Sequence, residues 1–160
     1  MHSHLAWVKG IPLDPNSDFF NKHDAVIKEM ATWLCQNDLS DPDLLRQFIE
    51  ELDGFQFDFF DNIQTRYFLD YRPGRVEKKD LDRAVNNLVY FKSLGLTESY
   101  DQYVNQFCEL YGLQTTSTVA RRNPSRVTAL FDVTSPEIQE ACQPLIQYDQ
   151  QLYNHVLAGG

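Results

Sequence analysis

Apolar side chains recur at intervals of three and four residues along most of this 160-residue sequence, and this spacing constrains its fold more than any other feature. The clearest run extends from Tyr100 to Tyr111, where apolar and aromatic residues share one helical face and Gly112 follows. Such a stripe predicts an amphipathic helix, and glycine is common just past a helix end. Strand-like alternation is almost absent, so we predict a mainly α fold.

Other segments with the same periodicity extend this prediction to a single helical domain, residues 1–160, of five to six helices. These further helices are predicted over residues 21–36, 42–52, 55–71, 81–91 and 136–156. Two of them begin with a capping residue followed by proline, as at Asp41-Pro42 and Ser135-Pro136. Pro144 is expected to break or kink the last helix, because proline lacks an N–H and clashes with the preceding turn.

The charge balance limits the partners that the chain is expected to bind. Asp and Glu number 23 against 14 Lys and Arg, which gives a formal net charge of −9. Nucleic acids and anionic membrane surfaces require clustered cations, so we expect neither as a partner.

No apolar run approaches the ~18–20 residues that span a bilayer. The three cysteines have no metal-binding or paired spacing, which favours reduced thiols in the cytoplasm.

The N-terminal histidines raise the question of a metal site. His2 and His4 are two residues apart, and His23-Asp24 follows later in the chain. None of these spacings matches a known metal-ligand motif such as H-E-x-x-H. We therefore predict no metal site, and a small metal-binding helical protein remains a weaker alternative.

The segment TTSTVARRNPSRVT, residues 115–128, is the best candidate for an anion site in this acidic chain. Its three arginines are surrounded by hydroxyl side chains. Guanidinium groups match phosphate with two parallel hydrogen bonds, and hydroxyls can add further ones. A solvent-exposed polar loop is the alternative that composition alone leaves open.

The segment from Asn62 to Tyr67 is polar in very aromatic surroundings. Amide and guanidinium groups that are buried must be hydrogen-bonded. We therefore predict that this segment forms a structural network joining its helix to neighbouring elements, rather than a catalytic site.

Several segments, taken in order, resemble the sulfotransferases that use 3′-phosphoadenosine 5′-phosphosulfate (PAPS), in the branch of carbohydrate and heparan-sulfate-type enzymes. DNIQTRYF at 61–68 is similar to that branch's "dN-x-qtRyL" segment. Residues 84–91 and LGLTE at 94–98 resemble its "A-x-x-nL-x-x-f-x-x-vGltE" helix and turn. Residues 121–126 lie where the family has a basic, Ser/Thr-rich cofactor loop, and YDQQLY at 148–153 resembles its closing "n-x-x-D-x-x-LY" helix.

This resemblance implies that the chain corresponds to the C-terminal helical portion of the P-loop-type α/β sulfotransferase fold, without its sheet and phosphate-binding loop. MHSH at residues 1–4 aligns with the end of the family pattern "R-d-P-x-e-R-x-x-S-h-y", whose serine helps to hold the 3′-phosphate of the cofactor. The implied cofactor-binding residues are Ser3, Arg121, Arg122, Ser125 and Arg126. No catalytic residue is assigned, because the base of this branch lies upstream of the matched region.

The implied activity is transfer of a sulfuryl group from PAPS to a carbohydrate hydroxyl. We expect the isolated chain to have negligible activity, because the loop that holds the 5′-phosphosulfate is missing. The implied partners are then a missing N-terminal half or further copies in a homo-oligomer. The alternative is a non-enzymatic helical module that mediates protein interaction or oligomerisation, since helices that once covered a sheet would expose an apolar face.

Overall fold

The computed structural model describes residues 2–114 and 130–159 of the chain, with side chains from His4 onward. These ranges contain nine α-helices, three short 3-10 helices and no β-strand. The α-helices are α1 (His2–Lys9), α2 (Asp18–Asn21), α3 (Ala25–Gln36), α4 (Pro42–Glu50), α5 (Phe57–Phe60), α6 (Ile63–Tyr67), α7 (Lys78–Asn87), α8 (Tyr100–Tyr111) and α9 (Pro136–Leu157). The 3-10 helices are Gly54–Gln56, Leu88–Tyr90 and Thr97–Ser99.

The prediction of a mainly α chain is confirmed, but the predicted number of five to six helices is too low for the described residues. Helices α1, α2, α5 and α6 have eight residues or fewer. One or two turns are too short to show a hydrophobic period. The single helix predicted over 55–71 is wrong, because a 3-10 turn, α5 and α6 replace it, with Asp61 and Asn62 separating the two α-helices.

Helix ends that carry a capping signal lie close to their predicted positions. The Asp41 carboxylate accepts a hydrogen bond from the backbone N–H of Asp43 at the start of α4. Ser135 caps α9 by accepting from the backbone N–H of Ile138, with 3.4 Å between the atoms. Gly112 follows α8 with φ of 65°, a left-handed conformation that glycine adopts without a steric cost.

Of the two effects expected of Pro144, a break or a kink in the last helix, the break is wrong. Helix α9 runs without interruption for 22 residues and contains Pro144 in its interior. The turn that follows, residues 144–149, is hydrogen-bonded to Asn62, as the next section shows, and a side chain inserted between helical N–H and carbonyl groups is one of the known causes of a helix kink.

Helix α9 is the central element of the described fold, since it packs against α4, α6 and α7, while α1 packs against α3. Its first half contributes Leu145 to the main hydrophobic cluster, and its second half contributes Leu152 to a smaller one. Full burial of a leucine side chain contributes roughly 1.5–3 kcal/mol to folding. No helix in the described ranges is long and apolar enough to cross a membrane.

Candidate functional site

Of the five residues predicted to bind the cofactor, one is described only by its backbone and four lie outside the described residues. Ser3 lies in α1, and its side chain is outside the described atoms. Arg121, Arg122, Ser125 and Arg126 lie outside the described residues. The chain leaves the described part after α8 and returns at Leu130, next to the buried Phe131. The anion site in residues 115–128 therefore stays a prediction.

The histidines with described side chains lie against different elements. Nδ1 of His4 is 2.7 Å from the carbonyl oxygen of Phe59, and Nδ1 of His23 is 2.6 Å from that of Phe19. In the part of the chain that the structure describes, no three His, Cys, Asp or Glu residues form a group that could hold a metal ion. The geometry thus gives no support to the metal-binding alternative.

Asn62 connects α6 to the turn of α9 that follows Pro144. Its backbone N–H donates to the carbonyl of Leu145 at 2.7 Å, and its side-chain oxygen accepts from the N–H groups of Tyr148 at 2.8 Å and Asp149 at 3.2 Å. Its side-chain amide also lies 3.4 Å from the carbonyl oxygen of Pro144. In a regular helix the groups of residues 144 and 145 pair with those of 148 and 149. Asn62 therefore binds both the carbonyl groups and the N–H groups that would otherwise pair with each other in this turn.

The backbone of Asn62 has a conformation that suits this role. Its φ is 44° and its ψ is 53°, and it is the one non-glycine residue with positive φ in the described ranges. Asparagine tolerates the left-handed region better than most residues. In this conformation both the amide side chain and the backbone N–H of Asn62 reach α9.

Asp149, a residue of α9, accepts hydrogen bonds from α6. Its carboxylate accepts hydrogen bonds from the backbone N–H of Thr65 at 2.7 Å, the hydroxyl of Thr65 at 2.9 Å and the backbone N–H of Gln64 at 3.1 Å. It thereby caps the first turn of α6 from a distant part of the chain. Burial raises the pKa of the Asp149 carboxyl above its ordinary value, although the hydrogen bonds from Thr65 and Gln64 act in the opposite direction.

Arg66 uses all of its hydrogen-bonding capacity inside the protein. Its guanidinium group donates to both the carbonyl and the carboxylate of Asp61, at 2.6 and 2.8 Å. It also donates to the Asp58 carboxylate at 3.0 Å and to the carbonyls of Pro73 and Gly74. An arginine carries five N–H donors, and these contacts number five. Arg66 is therefore not available to bind an anionic ligand.

Two fully buried carboxylates complete this network. Asp61 also accepts from the backbone N–H of Val76 at 2.6 Å and from the Asn62 amide at 2.9 Å. Asp80 accepts from the Tyr71 hydroxyl and from the backbone N–H of Glu77, which lies just before α7. The hydrogen bond to Asp80 raises the pKa of Tyr71. These contacts confirm the prediction that the polar segment around residues 62–67 is a structural network.

A shallow groove of about 540 Å³ lies beside this network, between the end of α6 and the end of α7. Its lining contains the aromatic rings of Tyr67 and Tyr90, which are 76% and 81% exposed. It also contains Arg83, whose guanidinium lies 2.7 Å from the Asp70 carboxylate. That volume is in the range of small-molecule pockets, ~300–1,000 Å³. Arg83 and Asp70 bring one charge of each sign to its lining, so the groove carries no excess positive charge.

Asp149 could not be identified from the sequence as the cap of α6, because 84 residues separate it from Thr65. The groove was missed for a similar reason, since its walls come from segments that show no shared motif. Comparison with protein-family models, curated proteins and solved structures found no match to this chain.

Proposed function

We propose that this chain is a sulfotransferase-type protein that binds the nucleotide part of PAPS, with Ser3, Arg121, Arg122, Ser125 and Arg126 holding the 3′-phosphate. The observation that carries this proposal is the contact between two of the segments that together carry the resemblance. Residues 61–68 and 148–153 are far apart in sequence, yet Asn62, Thr65 and Asp149 join them through mutual hydrogen bonds. Contact between these segments is what two motifs of one site-bearing fold require, and the family itself is proposed from the resemblance of their sequences.

The chemistry of the predicted site fits a phosphate. Hydroxyl and guanidinium donors are the groups that bind phosphate most directly. Arg66, the arginine of the matched segment 61–68, has all five donors occupied, so the proposal rests on the arginines of residues 121–126. PAPS would supply the sulfuryl group, and the protein would contribute by positioning and by cationic stabilisation.

The 160 residues contain no phosphate-binding loop of the G-x-x-x-x-G-K-[ST] type. We therefore propose nucleotide binding without appreciable sulfuryl transfer by this chain alone. Transfer to a carbohydrate hydroxyl would require the loop to be supplied by a further polypeptide segment, which we propose as a partner.

Calorimetric titration with adenosine 3′,5′-bisphosphate tests this proposal. We expect micromolar binding that is lost in the Arg121→Ala/Arg122→Ala variant. The control is Lys78→Ala/Lys79→Ala, which removes two positive charges from exposed positions on α7. No heat at millimolar nucleotide, or an equal loss in the control, would refute the proposed cofactor half-site.

The second candidate function is a non-enzymatic helical interaction module. The described residues favour it at α8, whose twelve residues include none that is buried. The titratable groups of the network are meanwhile committed to internal hydrogen bonds. The proposed cytoplasmic location is compatible with three cysteines that form no disulfide. A titration without nucleotide binding would leave this module as the better explanation.

A further inference from the structure

The groove between the ends of α6 and α7 combines exposed aromatic rings with planar polar side chains. Tyr67 and Tyr90, which are 76% and 81% exposed, share its lining with Phe91, which is 47% exposed. Large apolar side chains gathered on one surface mark an interaction site, whereas single exposed ones are ordinary. Three exposed rings at one groove therefore indicate a ligand with flat apolar faces.

Two hydrogen bonds join the walls of the groove, one wall following α6 and the other belonging to α7 and the segment after it. The guanidinium of Arg83 donates to the Asp70 carboxylate at 2.7 Å, and the side-chain amide of Asn87 donates to the carbonyl of Phe68 at 2.8 Å. The rings of Phe68 and Phe91 also pack edge to face, with 5.0 Å between their centroids. The groove is thus formed before a ligand binds, which lowers the cost of ordering it.

The polar groups of the groove suit an uncharged ligand that both donates and accepts hydrogen bonds. The charges of Asp70 and Arg83 balance each other in the lining. The hydrogen bond from Arg83 lowers the pKa of Asp70, so this carboxylate remains an acceptor at neutral pH. Asn86 also lines the groove, is exposed, and makes no hydrogen bond from its side chain within the described part of the chain. Carboxylate, guanidinium and amide groups each offer more than one hydrogen-bonding atom in a plane.

A neutral saccharide matches these features. A pyranose ring has a face of C–H groups that can pack on an aromatic ring, and its hydroxyls both donate and accept hydrogen bonds. A phosphate or sulfate ester would require cations in excess, which the groove lacks. A purely apolar ligand would cover the amide and the ion pair without offering them hydrogen bonds. The net charge of −9 also opposes the approach of a polyanionic saccharide.

We propose that this groove binds a neutral saccharide, with Tyr67 and Tyr90 contacting its C–H faces and Asp70, Arg83 and Asn86 binding its hydroxyls. The proposal deepens the proposed function and rests on it only in naming the saccharide as the acceptor. It also narrows that function, because a heparan-sulfate-type acceptor would be anionic, whereas the charges of the groove are balanced. The groove is shallow, so part of the ligand stays in contact with water and binding is weak.

Saturation-transfer NMR of the full chain tests the proposal, with cellobiose, lactose and N,N′-diacetylchitobiose as the neutral probes. Irradiation of the aromatic protons should transfer saturation to C–H groups of at least one disaccharide at up to about 50 mM, which covers millimolar dissociation constants. Tyr67→Ala and Tyr90→Ala should each weaken binding by about two- to tenfold, the contribution of one aromatic contact, and the double variant should abolish it. Tyr67→Phe should retain binding, because it keeps the ring. The matched control is Tyr111→Ala, which removes a ring that is 49% exposed and lies in α8.

Absence of transfer to all three disaccharides, or an equal loss of binding in Tyr111→Ala, would overturn the proposal. Tighter binding of a sulfated heparin disaccharide than of the neutral probes would overturn it as well, and so would binding of a polyproline peptide in place of the saccharides. Tyr67 and Tyr90 are mostly exposed, so their alanine variants should stay folded, which circular dichroism verifies. The samples contain no nucleotide, so failure of saccharide binding is distinguishable from failure of nucleotide binding.

Discussion

Replacing Arg66 with alanine should destabilise the protein more than any substitution of an exposed charge. The guanidinium is 10% exposed and its partner Asp61 is fully buried. In Arg66→Ala the Asp61 carboxylate keeps its hydrogen bonds from Val76 and Asn62 but loses its counter-charge. Removing one partner of a buried ion pair costs about 3–5 kcal/mol. Stabilities of single domains are about 5–15 kcal/mol, so the loss is a large fraction of the whole.

Urea unfolding followed by circular dichroism measures this effect. We expect Arg66→Lys to recover part of the loss, because lysine restores the charge but offers three donors instead of five. Adding Asp61→Asn to Arg66→Ala should also recover part, since it removes the uncompensated charge. The control is Arg83→Ala, which breaks an ion pair whose side chains are 54% and 58% exposed and should change stability little. Equal costs for Arg66→Ala and Arg83→Ala would refute the description of a buried network centred on Arg66.

Three further predictions follow from single contacts. Gly95→Ala should destabilise the protein by about 1–3 kcal/mol and displace α8, because the new Cβ would lie 2.2 Å from the Tyr103 ring. Unchanged stability in urea and unchanged tyrosine fluorescence would contradict that packing. Ser135→Ala should cost about 1 kcal/mol by removing the cap of α9, and an unchanged unfolding midpoint would show that the cap contributes nothing. The pKa of Asp149 is raised in the folded state, so its contribution to stability is present below the ordinary pKa of 3.8 and is lost as pH rises through the raised value. The stability of wild type relative to Asp149→Asn should therefore fall as the pH rises above 3.8 and through the raised pKa, and a constant difference would contradict the raised pKa.

The longer helices could be predicted from the sequence because each combines a hydrophobic period with a local capping signal. Helix α4 has Asp41 and Pro42, α9 has Ser135 and Pro136, and α8 has Gly112. These capping signals act within a few residues, so they can be recognised in a single sequence. Helix α3 also appeared where its stripe indicated, although it begins at Ala25 rather than at residue 21.

The break between α5 and α6 could not be predicted in the same way. The left-handed conformation of Asn62 depends on acceptors and donors in α9, more than 80 residues later in the chain. No local sequence pattern indicates such a contact, and the helical spacing of the residues favoured one long helix through residues 55–71. The sequence likewise predicted a break or kink at Pro144, whereas α9 continues through it and its following turn is hydrogen-bonded to Asn62.

The candidate site likewise has a part that could be predicted from the sequence and a part that could not. That the polar residues 62–67 serve structure followed from burial rules alone, since buried amide and guanidinium groups need partners. Which partners they have depends on the packing of α6 against α9. The five predicted cofactor residues rest on a resemblance in motif order, and the anion-binding chemistry of residues 115–128 rests on composition, so both need a binding measurement.

The most direct measurement compares the affinity of the chain for adenosine 3′,5′-bisphosphate with that for adenosine 5′-monophosphate. The two nucleotides differ in the 3′-phosphate that Ser3 and the arginines of residues 121–126 are proposed to hold. A hydrogen bond to a charged group contributes about 1.5–3 kcal/mol, and 1.4 kcal/mol is tenfold in affinity. The proposal predicts that the bisphosphate binds at least about tenfold more tightly. Equal affinities, or no binding of either nucleotide at millimolar concentration, would contradict it.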